Sequence, residues 1–403
     1  MQLLDTLQSQ RSDVSVVRLL EALADIVHNV QIASNFCIHH PDYRSMELRA
    51  ERVERLQQLS MDLQNQYLNL QLQSFLYTLY YNGSYQPSSV TEADSVSSPP
   101  SKTIENNTVK GLNLRFYEAL HDSNSGEGYF DPGWLVLGRE HDGSLAVQKD
   151  GLTLHIQCVS DSSGKQTCDS QLVGESAAIG GLIAVRMPRN RVATGFYIAV
   201  GNAGPIKDDP PDPPPHTVNL YFNVTPEGAI ALMRSLTQRL NGMAIPFTFK
   251  VLDDPDHYRC YDAGALNFEK SHYERVRPIL QTVYIENQSH FGRETPLFTK
   301  QLAPGLALSE EPNHKFSAQE NFGVNRCQIV ANGLLEAWRA GHNSPEARMS
   351  AILKRFSWHG VKLTHPYMNA NSENIYTPLF SANNLDNTKD ISEKTEPKIE
   401  VVN

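Results

Sequence analysis

The residues best suited to chemistry lie between positions 218 and 259. Lys250 stands in an apolar run, between Phe249 and Val251. Burial disfavours the ammonium form of a lysine, and a neutral lysine can act as a general base. Tyr221 lies on the preceding strand-like run and Arg259 follows Lys250; a guanidinium can hold an anion through two parallel hydrogen bonds. A general base and an anion-binding residue are the minimum that an enzyme needs to eliminate phosphate from a phosphorylated amino acid.

Each of these three residues also has a structural interpretation. Lys250 is equally suited to the end of a strand, where its stem covers apolar surface and its ammonium stays in water. Tyr221 has the type of a core aromatic residue with a satisfied hydroxyl. If Lys250 is not a base, Arg259 is expected to form a surface ion pair.

Further basic residues are candidates for contact with substrate. Arg186, Arg189 and Arg191 cluster between two strand-like runs, which is typical of a solvated turn but also offers a phosphate ligand. Arg326 opens an apolar helix, either as a buried structural arginine or as a phosphate ligand at the helix N-terminus. Lys149 is a candidate for substrate contact on an early strand, although packing or exposure is the preferred interpretation.

Composition excludes several classes of protein. The chain has 403 residues and a net charge of -10, which argues against nucleic acid or an anionic membrane as a main partner. It has neither a long apolar run nor a signal peptide, so we expect a cytoplasmic protein, with a secreted effector as the alternative. Five scattered cysteines suit a reducing compartment and give no zinc spacing. We therefore expect no metal site.

The N-terminal part of the chain has helical periodicity. Apolar residues recur at helical spacing over 14–30 and 49–79, which predicts a separate helical module over 1–82, suited to docking or dimerisation. Residues 83–112 are rich in serine and proline, as in a flexible linker. The polar residues 369–403 predict a disordered tail.

The region 113–368 predicts an α+β domain with a largely antiparallel sheet. Short strand-like runs separated by Asp142-Gly143 and Asp150-Gly151 come first, and helices follow later. Thr225 and Pro226 are a typical N-cap and first residue of a helix, which we expect to end near Leu240.

Several separate segments resemble the HopA-type effector family, over roughly residues 113–365. They are Gly126–Trp134, Lys149–Leu152, the segment with Tyr221, Lys250 and Arg259, and Phe322–Cys327. The family includes type III secretion effectors and the stand-alone lyases of class V lanthipeptide and thioamitide pathways.

Residues 218–270 are also distantly similar to the phosphothreonine lyases of the OspF and SpvC type. Lys250 falls on the base of that family and Arg259 on its phosphate-binding arginine. Tyr221 stands in place of the acid histidine, and Asn219 and Thr248 stand in place of two lysines. The proton donor therefore stays open between Tyr221 and a nearby histidine, His216 or His257.

The resemblance implies a phosphoserine or phosphothreonine lyase that needs no cofactor. It would form dehydroalanine or dehydrobutyrine in a phosphorylated precursor peptide, after a separate peptide kinase had added the phosphate. The alternative is a non-catalytic, type III effector-like protein that binds a phosphopeptide or a host protein. The departures at Tyr221 and Asn219 favour this alternative.

Overall fold

The computed structural model describes residues 14–46, 48–85, 113–157, 159–160, 166–167, 172–173, 178–206, 216–318 and 320–380. Almost all of the predicted linker and the end of the predicted tail lie outside these residues. Within them the fold is α+β, as predicted: the strands form antiparallel sheets, and eight α-helices accompany them.

A seven-stranded antiparallel sheet forms the centre of the structure, in the order β11-β12-β14-β15-β13-β17-β16. Its strands are β11 (Asn190–Ala193), β12 (Phe196–Val200), β13 (Thr217–Phe222), β14 (Thr248–Leu252), β15 (Gly264–Glu269), β16 (Lys300–Ala303) and β17 (Leu306–Glu310). The sequence predicts β12 to β15 but not β16 and β17, which are short and contain alanine, serine and glutamine.

One face of this sheet is apolar because alternate residues of each strand point to the same side. Phe222, Phe249 and Leu266 lie on this side and are buried. Helix α5 (Pro226–Gly242) and helix α6 (Tyr273–Asn287) follow two of the strands. The ring of Phe291 lies between Phe222 and Tyr284 of α6. The apolar face therefore packs against α6, and Thr225 caps α5 as predicted.

A second sheet has five strands in the order β6-β5-β4-β10-β9 and a small core around Trp134. Its strands are β4 (Tyr129–Arg139), β5 (Leu145–Lys149), β6 (Leu152–Ile156), β9 (Leu172–Val173) and β10 (Leu182–Met187); β7 (Val159–Ser160) pairs with β8 (Gln166–Thr167). Helix α4 (Leu114–Ser123) precedes β4. Asp150 and Gly151 both have positive φ, which agrees with the predicted tight hairpin turn.

The N-terminal segment contains helices and three short strands. In chain order these are α1 (Val14–Asn29), β1 (Gln31–Ile32), β2 (Ile38–His40), β3 (Tyr43–Met46), α2 (Ala50–Gln57), α3 (Met61–Leu76) and the π-helical turn Tyr77–Tyr81. The predicted helical run 49–79 is interrupted, and Ser60 caps α3 by accepting a hydrogen bond from the Leu63 backbone N–H. The three strands were not predicted.

This segment shares one hydrophobic core with the central sheet. Leu23 of α1 and Phe75 of α3 belong to the same cluster of buried residues as Leu220 of β13. The Arg348 guanidinium donates hydrogen bonds to the Val27 and Val30 carbonyls at the C-terminal end of α1, which otherwise lack helical partners. The boundary predicted at residue 82 therefore divides two segments that share a core in the folded chain.

The last two helices are α7 (Phe322–Arg339) and α8 (Pro345–Trp358). They approach closely at Gly333, where a Cβ atom would lie 2.6 Å from the Ile352 Cα. Because the obstructing atom is backbone, it cannot turn aside as a long side chain does.

Residues 369–380 differ from the predicted disordered tail, since Tyr376 and Leu379 are buried. Glu310 at the end of β17 holds this segment through its fully buried carboxylate. Its partners are Lys270 Nζ at 2.9 Å, Ser372 Oγ at 2.6 Å, Tyr376 Oη at 2.9 Å and the Asn369 backbone N–H at 2.9 Å. Burial raises the pKa of Glu310, but these hydrogen bonds together outweigh it and the pKa is lowered.

We predict that Gly333→Ala destabilises the fold by about 1–3 kcal/mol because α7 and α8 must separate. Gly242→Ala is the matched control: a Cβ there meets no atom within 4 Å, so the higher helix propensity of alanine should leave stability unchanged or slightly raised. Urea unfolding measures both variants. Equal stability of the two would contradict a tight contact at Gly333.

We predict that Glu310→Gln destabilises the fold by about 3 kcal/mol at neutral pH, since it leaves the Lys270 ammonium without its buried counterion. The pKa of Glu310 is lowered from 4.5. The stabilisation is therefore complete above that pH and is lost as pH falls through the folded-state pKa. Unfolding free energies of parent and variant should converge in acid; a gap independent of pH would exclude the carboxylate as the cause.

Candidate functional site

Lys250 and Tyr221 lie in one cross-strand row on the polar face of the seven-stranded sheet. Both pair with Ala265 of β15, from opposite sides. The next row on this face contains Thr248, Asn267, Asn219 and Ser309. Since strands are about 4.8 Å apart, the Lys250 and Tyr221 backbones are separated by about 10 Å. The structure thus brings together three of the predicted site residues, Lys250, Tyr221 and Asn219.

Lys250 is half-buried, lies over an aromatic ring and affects the pKa of a carboxylate. Its ammonium lies 5.3 Å from the centre of the Phe196 ring, within the range of a cation–π interaction. Asp262 precedes β15 and accepts a hydrogen bond from the Tyr77 hydroxyl at 3.0 Å. Burial raises the pKa of Asp262, while hydrogen bonds and the charge of Lys250 oppose that rise.

Tyr221 is enclosed by aromatic residues from two other parts of the chain. The rings of Tyr81 and Phe322 each lie 6.4 Å from its ring. Its hydroxyl is 3.1 Å from Ser309 Oγ. Burial raises the pKa of Tyr221 well above its ordinary value, so the phenol stays protonated at neutral pH and is able to donate a hydrogen bond.

Asn219 is held by a side chain of β15 and by one that directly follows β17. Its Nδ2 donates to Glu311 Oε2 at 2.6 Å, and its Oδ1 accepts from Asn267 Nδ2 at 2.5 Å. Asn219 is thus satisfied by partners within the protein, as expected for a buried polar group.

Arg326 lies in the second turn of α7, fully buried behind Phe322. Its guanidinium stacks on the Phe322 ring at 4.8 Å. It donates hydrogen bonds to the carbonyls of Pro366 at 2.8 Å and Met368 at 3.2 Å, and to Asn325 Oδ1 at 2.6 Å. Burial lowers the pKa of Arg326 to about 10. Its position agrees with the predicted buried structural arginine rather than with the predicted phosphate ligand. The two carbonyls and Asn325 Oδ1 accept hydrogen bonds from three of its five N–H groups.

The other predicted basic residues lie outside the row. Arg259 is exposed, after the short turn Pro255–His257. Arg191 is exposed on β11 and donates to the Tyr129 hydroxyl at 3.3 Å.

Two more of the predicted basic residues belong to the five-stranded sheet. Arg186 is exposed and donates to the Glu127 carbonyl at 2.8 Å. Lys149 forms an ion pair with Asp131 at 2.8 Å. The structure therefore gives both side chains local partners away from Lys250.

Four residues that surround the row were missed by the sequence analysis: Tyr77, Tyr81, Asp262 and Ser309. Ser309 lies on β17. The turn residues Pro304 and Gly305, directly before this strand, are the signal in the sequence that could have indicated it. Tyr77 and Tyr81 come from the N-terminal segment and reach the row only through long-range packing. The Tyr81 and Asn82 carbonyls accept hydrogen bonds from the Leu297 and Tyr261 backbone N–H groups. These bonds fix the π-helical turn over the sheet.

Among the described residues, no group of His, Cys, Asp and Glu has the proximity required to hold a metal ion. No helix in the described part of the chain is long and apolar enough to cross a membrane.

The seven-stranded sheet and the row on it fall within a segment that matches a family model. Residues 187–368 match the HopA1 effector protein family, which confirms the predicted resemblance over that segment. The motifs at 126–134 and 149–152 precede the matched residues.

Two solved structures are similar to this chain. One is the effector protein from Pseudomonas syringae pv. tomato strain DC3000, at 14% identity and a TM-score of 0.36, covering 64% of this chain and 81% of that one. The other is the effector protein from Pseudomonas syringae pv. syringae strain 61, at 12% identity and a TM-score of 0.39, covering 80% and 94%. No curated protein matches the chain.

We predict that Tyr77→Phe destabilises the fold by about 1–3 kcal/mol because it removes a hydrogen-bond donor from the enclosed Asp262 carboxylate. Tyr67→Phe removes the same atom from a half-buried tyrosine on α3 and should change stability by less than about 0.5 kcal/mol. Urea unfolding of both variants at neutral pH tests this. If the two variants have the same free energy of unfolding, the Tyr77 hydroxyl does not stabilise the site.

Proposed function

We propose that this chain is an effector-like phosphoserine or phosphothreonine lyase that acts on a phosphorylated peptide by β-elimination. The observation that carries the proposal is the row Lys250–Ala265–Tyr221. It holds a lysine and a tyrosine on one face of a sheet, with only a small side chain between them.

The spacing of this row suits the reacting atoms. A base about 3 Å from the α-carbon proton and a donor about 3 Å from the phosphate ester oxygen span a distance comparable to two strand spacings. Lys250 in its deprotonated form removes the α-proton, the C–H electron pair forms the Cα=Cβ double bond, and the Cβ–O bond breaks. Phosphate leaves with the electron pair of the Cβ–O bond, and the peptide retains dehydroalanine or dehydrobutyrine.

Tyr221 is the proposed donor to the leaving phosphate. Its raised pKa keeps the phenol protonated, although it also makes Tyr221 a weaker acid than a histidine. Arg259 is the proposed phosphate ligand, because growing negative charge on the phosphate is stabilised by a guanidinium. Since Tyr81 and Phe322 enclose Tyr221, a substrate reaches its hydroxyl only after one of these rings moves.

The proposed substrate is a precursor peptide of a lanthipeptide-type pathway, phosphorylated by a separate kinase. The HopA1 match over 187–368 supports an effector-like protein, and the elimination itself requires no metal or organic cofactor.

A second candidate is a protein that binds a phosphopeptide without turnover. It is favoured by Tyr221, because burial raises the pKa of its phenol and makes it a weak acid.

We predict that mass spectrometry of phosphothreonine and phosphoserine peptides will show loss of phosphoric acid with the parent protein. Lys250→Ala should lower the rate by about 100-fold or more, since it removes the general base. Lys250→Arg is the matched control because it keeps the cation but stays protonated, so it should be equally inactive.

Two results distinguish the candidates. Full activity of Lys250→Arg would exclude Lys250 as the base. Peptides that bind to the parent protein and remain phosphorylated would establish the binding function instead.

A further inference from the structure

Three cavities adjoin one another along residues 359–374. One of about 150 Å³ lies between the start of α7 and residues 369–371, and another of about 210 Å³ continues along 369–374. A larger one of about 630 Å³ lies beside α8. Each pair of cavities shares part of a wall: Val361 lies between the first and the third, Gly360 and Lys362 between the second and the third, and 369–371 between the first and the second. We call this continuous surface the α8 groove.

The α8 groove is lined by basic and polar side chains. Its walls contain Arg326, Lys354, Lys362 and three histidines, His314, His359 and His365. No aspartate or glutamate of the described residues is among them, although the chain has 45 acidic residues. Lys354 is paired with Glu336 at 3.1 Å, and Arg326 is buried and bonded to backbone carbonyls, so the exposed Lys362 supplies most of the accessible positive charge.

The larger cavity is mainly apolar. Leu353 and Phe356 of α8 form its wall with Leu363. Trp358 at the end of α8 is exposed, and Lys354 and Arg355 stack on its ring. A ligand that fills the groove therefore meets apolar surface in one half and cationic and amide groups in the other.

We infer that the α8 groove binds an acidic peptide segment that carries large apolar side chains. Its carboxylates would lie towards Lys362 and its apolar side chains beside α8. A nucleic acid fits this surface less well, because the apolar half offers no partner for phosphates.

The inference deepens the proposed function and rests on it in one respect, namely that the bound peptide is part of the substrate. Arg326 stacks on Phe322, whose ring contacts Tyr221. A peptide seated in the α8 groove therefore ends within two side chains of the Lys250 row. This arrangement suits an unphosphorylated recognition segment joined to the residue that reacts.

Binding is measured by fluorescence anisotropy with the full chain and three labelled, unphosphorylated peptides. In the first, glutamates flank a Phe-Leu pair; in the second, lysines replace the glutamates; in the third, Ser-Ser replaces Phe-Leu. The first peptide should bind, more weakly as salt is raised, and the other two should bind at least about fivefold more weakly. Equal binding of the first and second peptides would overturn the inference, as would no binding.

Two variants in the groove and one control variant outside it locate the binding site. Lys362→Glu should weaken binding of the first peptide by about fivefold or more. Arg234→Glu, which makes the same charge change on exposed α5 surface, should leave it unchanged. Ser357→Trp fills the apolar half from an exposed position and should also weaken binding. Equal effects of Lys362→Glu and Arg234→Glu would show that general electrostatics, rather than the groove, attracts the peptide.

Further arms separate this result from the proposed function and from other occupants. Lys250→Ala should bind the first peptide as the parent does. A phosphothreonine version of that peptide that binds the parent protein and keeps its phosphate would support the groove while contradicting the lyase. Tighter binding of a single-stranded oligonucleotide than of the peptide would overturn the assignment to a peptide. Concentration-dependent dimerisation that Lys362→Glu abolishes would instead assign the groove to a second copy of the chain.

Discussion

The structure depends on the burial of a polar row beneath a turn from a distant part of the chain. A buried polar group without a partner costs as much as several ordinary hydrogen bonds stabilise. The turn Tyr77–Tyr81 both covers Tyr221 and replaces some of the lost hydrogen bonds, since Tyr77 donates to Asp262. Gly323 has no side chain where Tyr81 approaches, because a Cβ would lie 2.3 Å from that ring. The N-terminal segment, the central sheet and α7 are therefore positioned by the same contact.

The sequence predicts most of the regular structure because local periodicity determines it. Strands β12 to β15 and helices α5 to α8 follow from alternating or helical apolar patterns and from caps such as Thr225. It does not predict β17, although this strand pairs along the whole length of β13, because its alanine and serine residues have weak β propensity. Nor does it predict that Tyr376 is buried, since the partner Glu310 is distant in sequence and appears only once the chain is folded.

The candidate site shows the same division between local and long-range information. That Asn219 and Tyr221 share a face follows from the two-residue period of a strand, and Lys250 joins them through the register of β15. The environment of each side chain is a different matter. Arg326 is bound by carbonyls of a loop that follows α8, and Lys149 is bound by Asp131 of the neighbouring strand. Which partner a basic side chain binds is determined by tertiary packing, and a single sequence does not show which distant residues pack together.

The turn Tyr77–Tyr81 belongs to the same polypeptide as the row it covers. Its displacement is a unimolecular equilibrium, so dilution does not release it and a higher protein concentration does not restore it. A ligand that needs the Tyr221 hydroxyl competes with this covalently attached occupant, and its apparent affinity equals its intrinsic affinity multiplied by the fraction of molecules in which the turn is displaced. Changes at Tyr77 or Gly323 would then alter apparent affinity without touching the ligand, which makes the N-terminal segment a determinant of binding thermodynamics.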